Sequence, residues 1–283
     1  MKRKPKTVQP TRRPVIGFVG GGNMATALIK GLVAAGLYRP EQVVASDIDA
    51  PKLAGLRRRF KIGTTTDNAA LVRDTKVLVI AVKPQIIDAV LAQMRAAVTP
   101  QKLFVSIAAG VTTARLEAGL GGGARVLRVM PNTPALLGKA MSVLVRGRHA
   151  SVADERLGLR LLRAVGAAVA VQDEGWLDAV TGLSGSGPAY VYLFAEGLIA
   201  GGVAAGLPAL LATQLALQTM SGAAAMLQET GETPEALRAM VTSPGGTTLA
   251  GLNELARRGF KAAVEAAVVT ATRRSEELGR AAG

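Results

Sequence analysis

Cysteine is absent from this chain and histidine occurs once, at His149. The first absence excludes disulfide frameworks and thiolate nucleophiles, and the second excludes a histidine-rich metal site; an enzyme of the cytoplasm without structural metal is expected. Aromatic residues make up only 3% of the 283 residues, and no recognition motif accompanies the formal net charge of +14. A nucleic-acid partner is therefore not expected. Lys2, Arg3, Lys4, Lys6, Arg12 and Arg13 all precede the first apolar run. Residues 1–13 read as a disordered basic tail that lacks the apolar stretch of a signal peptide, so export is not expected. The other basic residues are scattered, as on a solvated surface that attracts an anionic cofactor.

Apolar residues, by contrast, are plentiful at 49%, enough for a large core and two domains. The most informative stretch is Val15-Ile16-Gly17-Phe18-Val19-Gly20-Gly21-Gly22-Asn23-Met24-Ala25. It reads as a buried strand, a glycine turn and a helix start. Gly20 permits the tight turn, Gly22 lets the backbone approach a pyrophosphate, and Ala25 stands where a third small residue allows helix to pack on strand. The helix N-terminus then presents unpaired N–H groups to phosphates.

Short apolar runs at 15–19, 42–46, 77–82, 103–107 and 126–130 alternate with helical segments, which predicts a mostly parallel, doubly wound α/β sheet of Rossmann type. The first three strands are expected to be joined by helices over 24–35 and 51–60, the second capped by Asp49 with Pro51 in its first turn. Strands near 141–145 and 168–171 flank a helix that begins after Ser151 and runs to Val165, and extend the sheet. After Asp173 the pattern turns helical through 190–205, 208–228 and 261–278. This places a dinucleotide-binding domain at 14–172 and an all-helical domain for dimerisation and substrate at 173–283. The apolar run 190–217 is interrupted by Glu196, Gly201-Gly202 and Pro208, so buried helices covered by a second subunit are expected rather than a membrane span.

Asp47 follows the second strand at the spacing where a carboxylate accepts hydrogen bonds from an adenosine ribose, which favours NAD(H). Lys52 and Arg57, Arg58 and Arg59 in the following helix are alternative partners for a 2′-phosphate, and the residues alone leave the two cofactors open. Lys83 in Ala81-Val82-Lys83-Pro84-Gln85 ends a strand that should line the cofactor crevice, and the small residues of Ser106-Ile107-Ala108-Ala109-Gly110 allow a nicotinamide ring to pack close. Two loops of Ser, Gly and Thr, at 182–190 and 241–248, each open a helix. They offer amides and hydroxyls for a carboxylate or phosphate, or serve as helix caps. Ser184 is not a nucleophile-elbow serine, because its motif follows helix rather than strand.

Residues 20–25, Ala81-Val82-Lys83-Pro84, Met130-Pro131-Asn132-Thr133-Pro134, 181–190 and 243–248 together resemble the pyrroline-5-carboxylate reductase family, in the family's order and across both domains. The resemblance implies NADPH- or NADH-dependent reduction of L-1-pyrroline-5-carboxylate to L-proline, the last step of proline biosynthesis. Its cofactor contacts would fall on Val19, Gly20, Gly21, Gly22, Asn23 and Met24, on Ser46, Asp47 and Asn68, on Ala81, Val82, Lys83 and Pro84, and on Ala108 and Ala109. Its substrate contacts would fall on Ser243, Gly245, Gly246, Thr247 and Thr248, with Thr248 bonding the ring nitrogen. It further implies a homodimer through the C-terminal helices, assembling in some members into decamers.

Three other readings compete. A β-hydroxyacid dehydrogenase needs a helix-borne lysine, and none occurs between Lys139 and Lys261. A nucleotide-binding regulator would bind cofactor without turnover, and a broader imine reductase would take a larger cyclic imine.

Overall fold

The structure, a computed structural model, describes residues 15–121 and 123–281; the basic tail 1–13 lies outside the described residues. Eight strands form one sheet in the order β3-β2-β1-β4-β5-β6-β7-β8. They are β1 (Ile16–Val19), β2 (Val43–Ser46), β3 (Gly63–Thr65), β4 (Val77–Ile80), β5 (Leu103–Ser106), β6 (Arg125–Met130), β7 (Ala140–Arg146) and β8 (Gly166–Val171). All neighbours are parallel except β6 and β7. The mostly parallel, doubly wound sheet is the one the alternating pattern predicts.

The sheet is covered on both faces, which is why its central strands are continuous apolar runs rather than alternating ones. Side chains on a strand point alternately to opposite faces. Val77 and Val79 accordingly join one core with Ile16, Phe18 and Leu127, while Leu78 and Ile80 join the other with Phe104 and Val126. Helices α1 (Asn23–Ala34), α2 (Ala50–Phe60) and, further on, α6 (Val152–Leu162) contribute Leu28, Leu53 and Leu161 to the first core. Helices α3 (Asn68–Asp74), α4 (Ile87–Arg95) and α5 (Thr113–Leu120) contribute Leu71, Leu91 and Leu116 to the second.

One expected connection is corrected. The helix after β2 does not lead to the strand at 77; it leads to the edge strand β3 and then to α3. Gly63-Thr64-Thr65 is half-buried and carries no apolar side chain, so it gives no strand signal. The cap on α2 is as expected, the Asp49 carboxylate accepting from the Lys52 amide at 3.0 Å.

Beyond β8 come α7 (Trp176–Val180), α8 (Gly187–Ala204), α9 (Ala209–Glu229), α10 (Pro234–Met240), α11 (Thr247–Arg257) and α12 (Phe260–Ala281). The chain forms two compact units, one of residues up to 185 together with those from 271 onward, the other of 186–270. The helical unit thus starts later than the composition change near residue 172. Leu177 of α7 packs with Val143 and Val145 of β7, and the segment Thr181–Gly185 continues α7 as a π-helical turn whose Gly185 lies against Met130. This segment is helical, where the sequence suggested a loop opening the next helix; α8 begins only at Gly187, with Pro188 in its first turn.

An ion network around the buried Arg128 fastens the first unit. Arg128 of β6, 6% exposed in its side chain, donates to Glu174 at 2.8 Å and lies 4.0 Å from Asp178. Glu174 also accepts from the Thr113 amide at 2.8 Å and the Thr113 hydroxyl at 2.6 Å, at the start of α5. Burial pushes the Glu174 carboxyl up, but the bonds from Thr113 and Arg128 outweigh it and hold the group below its usual range. Ser275, near the end of α12, donates to Asp178 at 2.6 Å.

In the second unit α8 packs on α9, where Gly202 brings the backbone close to Ala212: an added Cβ would stand 3.0 Å from the alanine methyl. The rings of Phe194 and Phe260 lie 5.8 Å apart. Many large apolar side chains remain uncovered, among them Leu193 at 68% and Leu210 at 74% exposure. Among the described residues α9 is the one helix long and apolar enough to cross a membrane by length and composition.

Candidate functional site

The strand order reverses at β1, which has β2 on one side and β4 on the other; at such a switch point a crevice opens beyond the carboxyl ends of the strands. The register aligns those ends, with Val19 opposite both Ser46 and Ile80. Gly20 then donates to the Ser46 carbonyl at 2.7 Å, and Ala81 donates to the Val19 carbonyl at 2.8 Å. Gly20 turns the chain with a φ of +99°, and a Cβ added there would sit 2.6 Å from the Ala81 carbonyl oxygen. This is a close approach that only glycine permits.

Gly22 caps α1 without a side-chain bond, and a Cβ added to it would meet nothing within 4 Å. The first-turn amides of α1 are therefore approachable from an open face, the arrangement that receives a pyrophosphate. Asp47 lies beside this turn. One of its oxygens accepts from the Gly21 amide at 2.7 Å and the other from the Asp49 amide at 2.9 Å. Asn68, the first residue of α3, is held at both ends of its side chain: its oxygen accepts from the Ser46 hydroxyl at 2.6 Å and its amide donates to Gln93 at 2.7 Å. The Lys52 amide and ammonium hold the Asp49 carboxyl below the usual carboxylate range, the ammonium lying 3.3 Å away.

These groups line a cleft of about 820 Å³, within the range typical of sites for small molecules and cofactors. Of the residues expected to touch cofactor, Val19, Gly20, Gly22, Ser46, Asp47, Asn68, Ala81, Val82 and Lys83 are on its walls. Gly21 is buried behind Asp47, Asn23 and Met24 form the first turn of α1, and Pro84 begins a 3₁₀ turn. Ala108 and Ala109 follow β5 outside the cleft walls, with Ala108 buried.

Sequence reasoning did not find Ile48, Thr66, Asp67, Ile86 or Gln93, which also face the cleft. Thr66 and Asp67 follow β3, and a strand read at 63–65 would have put them at the same end of the sheet.

The turn at 243–248 belongs to the second unit. The Gly246 amide donates to the Ser243 carbonyl at 3.0 Å, Gly245 takes a φ of +71°, and Gly246 caps α11 without a side-chain bond. Ser243 and Thr247 are exposed and Thr248 is half-buried. The turn thus offers hydroxyls beside first-turn amides. Asn132, from the Met130–Pro134 motif, has a bridging part: it accepts from the Met141 amide at 2.9 Å and donates to the Ser184 carbonyl at 3.2 Å.

Residues 15–110 match a family described as NADP oxidoreductase, coenzyme F420-dependent, and residues 174–278 match pyrroline-5-carboxylate reductase dimerisation. The chain is 44% identical to a pyrroline-5-carboxylate reductase of Methanosarcina acetivorans, over 94% of this chain and 98% of that one. It is 41% identical to a pyrroline-5-carboxylate reductase of Arabidopsis thaliana, over 93% and 95% respectively. Among solved structures, the pyrroline-5-carboxylate reductase of Coxiella burnetii superposes with a TM-score of 0.87 at 34% identity, covering 94% of this chain and 99% of that one. Pyrroline carboxylate reductase of Plasmodium falciparum with NADP bound gives 0.85 at 31% identity, covering 95% and 99%. With likeness of this degree running through both the cleft and the helical region, the chain belongs to the pyrroline-5-carboxylate reductase family.

Proposed function

We propose that this chain reduces L-1-pyrroline-5-carboxylate to L-proline with NADH or NADPH, the closing step of proline biosynthesis. The observation that carries the reading is the open glycine turn at the switch point of the sheet, in a chain 44% identical to a reductase of that name over 94% of its length. The cleft residues fit a dinucleotide: Gly20 brings the turn against Ala81, and Gly22 leaves the start of α1 clear. When bound, the nicotinamide supplies a hydride to the imine carbon.

The protein's part is to bind and align. Ser243, Gly245, Gly246 and Thr247 hold the substrate carboxylate through hydroxyls and amides, with no dedicated arginine. Thr248 bonds the ring nitrogen and orients the imine carbon. A protonated imine already carries the activating charge, so the reduction needs no strong side-chain acid: the C=N π electrons pass to the ring nitrogen, which keeps its proton and becomes the secondary amine of proline. The uncovered apolar faces of α8 and α9 lie within the matched dimerisation segment. They support a homodimer through these helices; the reading adds assembly into a decamer and a place in the cytoplasm.

The direct test is the loss of NADH and NADPH absorbance when pyrroline-5-carboxylate is added to purified protein. Rapid oxidation supports the reading; binding of cofactor with no turnover refutes it in favour of a regulator. Thr248→Ala is expected to lower kcat/KM by about 10- to 100-fold, the loss of one or two oriented hydrogen bonds at the reacting centre. Unchanged kinetics in that variant would remove Thr248 from the site.

A further inference from the structure

We infer that the cleft is built for an unphosphorylated adenosine ribose, so that the chain prefers NADH over NADPH, with Asp47 as the discriminating residue. The inference rests on the reductase reading for its cofactor class and goes beyond it in choosing between the two forms.

Asp47 leaves β2 at the level of the glycine turn, on the wall of the cleft. Two backbone amides, from Gly21 at 2.7 Å and Asp49 at 2.9 Å, fix its carboxylate in place. A carboxylate offers roughly four lone-pair positions. The amides take two, and the others remain as acceptors. A ribose diol brings donors to such a group. A 2′-phosphate brings only more negative charge and further acceptors, with nothing to share between them.

Nearby cations do not reverse the balance. Asp47, Asp49 and Asp67 all face the cleft; of its two lysines, Lys52 is paired with Asp49 at 3.3 Å and Lys83 follows β4, across β1 from Asp47. Arg57 donates to the Thr64 hydroxyl at 2.5 Å, and the Arg59 guanidinium lies 5.0 Å from the Phe60 ring. Both are in the last turns of α2, roughly 10 Å along the helix from its start, and neither lines the cleft. The Plasmodium falciparum relative was solved with NADP bound, so this chain would part from that relative at the ribose.

Calorimetric titration of the whole protein with NADH, NADPH, AMP and adenosine 2′,5′-bisphosphate tests this without turnover. NADH should bind at least tenfold more tightly than NADPH, and AMP more tightly than the bisphosphate. Asp47→Ser should shift the NADH-to-NADPH ratio of Kd values toward NADPH by about 10- to 100-fold, the scale of one close like-charge contact. Asp47→Asn keeps an acceptor for the Gly21 amide while removing the charge, so a shift shared by both variants separates charge from loss of the loop. Equal or tighter NADPH binding in the wild type, or an unchanged ratio in both variants, overturns the inference. If that NADPH-binding protein also oxidises NADPH with pyrroline-5-carboxylate, the reductase reading stands alone. Failure of both dinucleotides to bind overturns the two together.

Discussion

Gly20→Ala is expected to weaken dinucleotide binding by at least a hundredfold and to lower the unfolding midpoint at the same time. The residue adopts φ +99°, where a side chain is strained by about 1–3 kcal/mol. Its new Cβ would also stand 2.6 Å from the Ala81 carbonyl oxygen. That carbonyl cannot easily retreat, because the Ala81 amide is bonded to Val19 at 2.8 Å and the Gly20 amide to Ser46 at 2.7 Å. The turn must open instead, and the first turn of α1 moves with it.

Gly22→Ala provides the contrast. Its φ of −72° suits any residue and its Cβ meets nothing within 4 Å, so stability should fall by no more than about 1 kcal/mol, the cost of alanine at a helix cap, while the methyl obstructs the pyrophosphate. Titration with dinucleotide and thermal unfolding of the two variants separate the effects. Wild-type affinity in Gly20→Ala would show that the tight turn is not what receives the cofactor.

Arg128→Ala should cost about 2–3 kcal/mol of unfolding free energy, the scale of lost hydrogen bonds between charged groups and below that of a fully buried pair, because the two carboxylates keep their bonds from Thr113 and Ser275. The guanidinium is 6% exposed, and Glu174 and Asp178, at 28% and 22%, would lose their shared cation. The effect carries a pH signature. Glu174 titrates below its ordinary value of 4.5, so its contribution is present above that value and is lost as pH falls through the lowered one. The gap between wild type and variant should therefore narrow on acidification below about pH 4.5. Trp176, the only tryptophan, lies in α7 beside this network, and its fluorescence can follow denaturant unfolding at each pH. A gap below about 1 kcal/mol at neutral pH, the scale of an exposed pair, would mean the network is an exposed ion pair in energetic terms.

The parts of the fold that were legible in the sequence are those with a local physical cause. Ile16–Val19 is apolar without interruption because both faces of a central parallel strand are buried. Asp49 and Pro51 mark the start of α2 by chemistry confined to one turn. β3 was hidden because a three-residue edge strand of Gly and Thr needs no apolar side chain. Its absence from the reading also concealed Thr66 and Asp67. Gln93 was hidden for another reason: it meets Asn68 only after the chain has passed through α3, β4 and most of α4. The turn at 181–185 looked like a loop because its glycines and serines favour one. It stays helical because it continues α7 and packs on Met130.

The network at Asp178 bears on how the chain is made. The first unit is completed by residues from 271 onward, so the segment 186–270 is synthesised between its two contributions. During vectorial synthesis, at about 5–20 residues per second, the sheet can assemble early, yet Asp178 waits for Ser275 and Gly110 for Gly279 until the segment 186–270 has been made. A nascent chain that has emerged only as far as residue 270 therefore carries the sheet with this seam still open, and the emergence of the segment from 271 onward is what closes it.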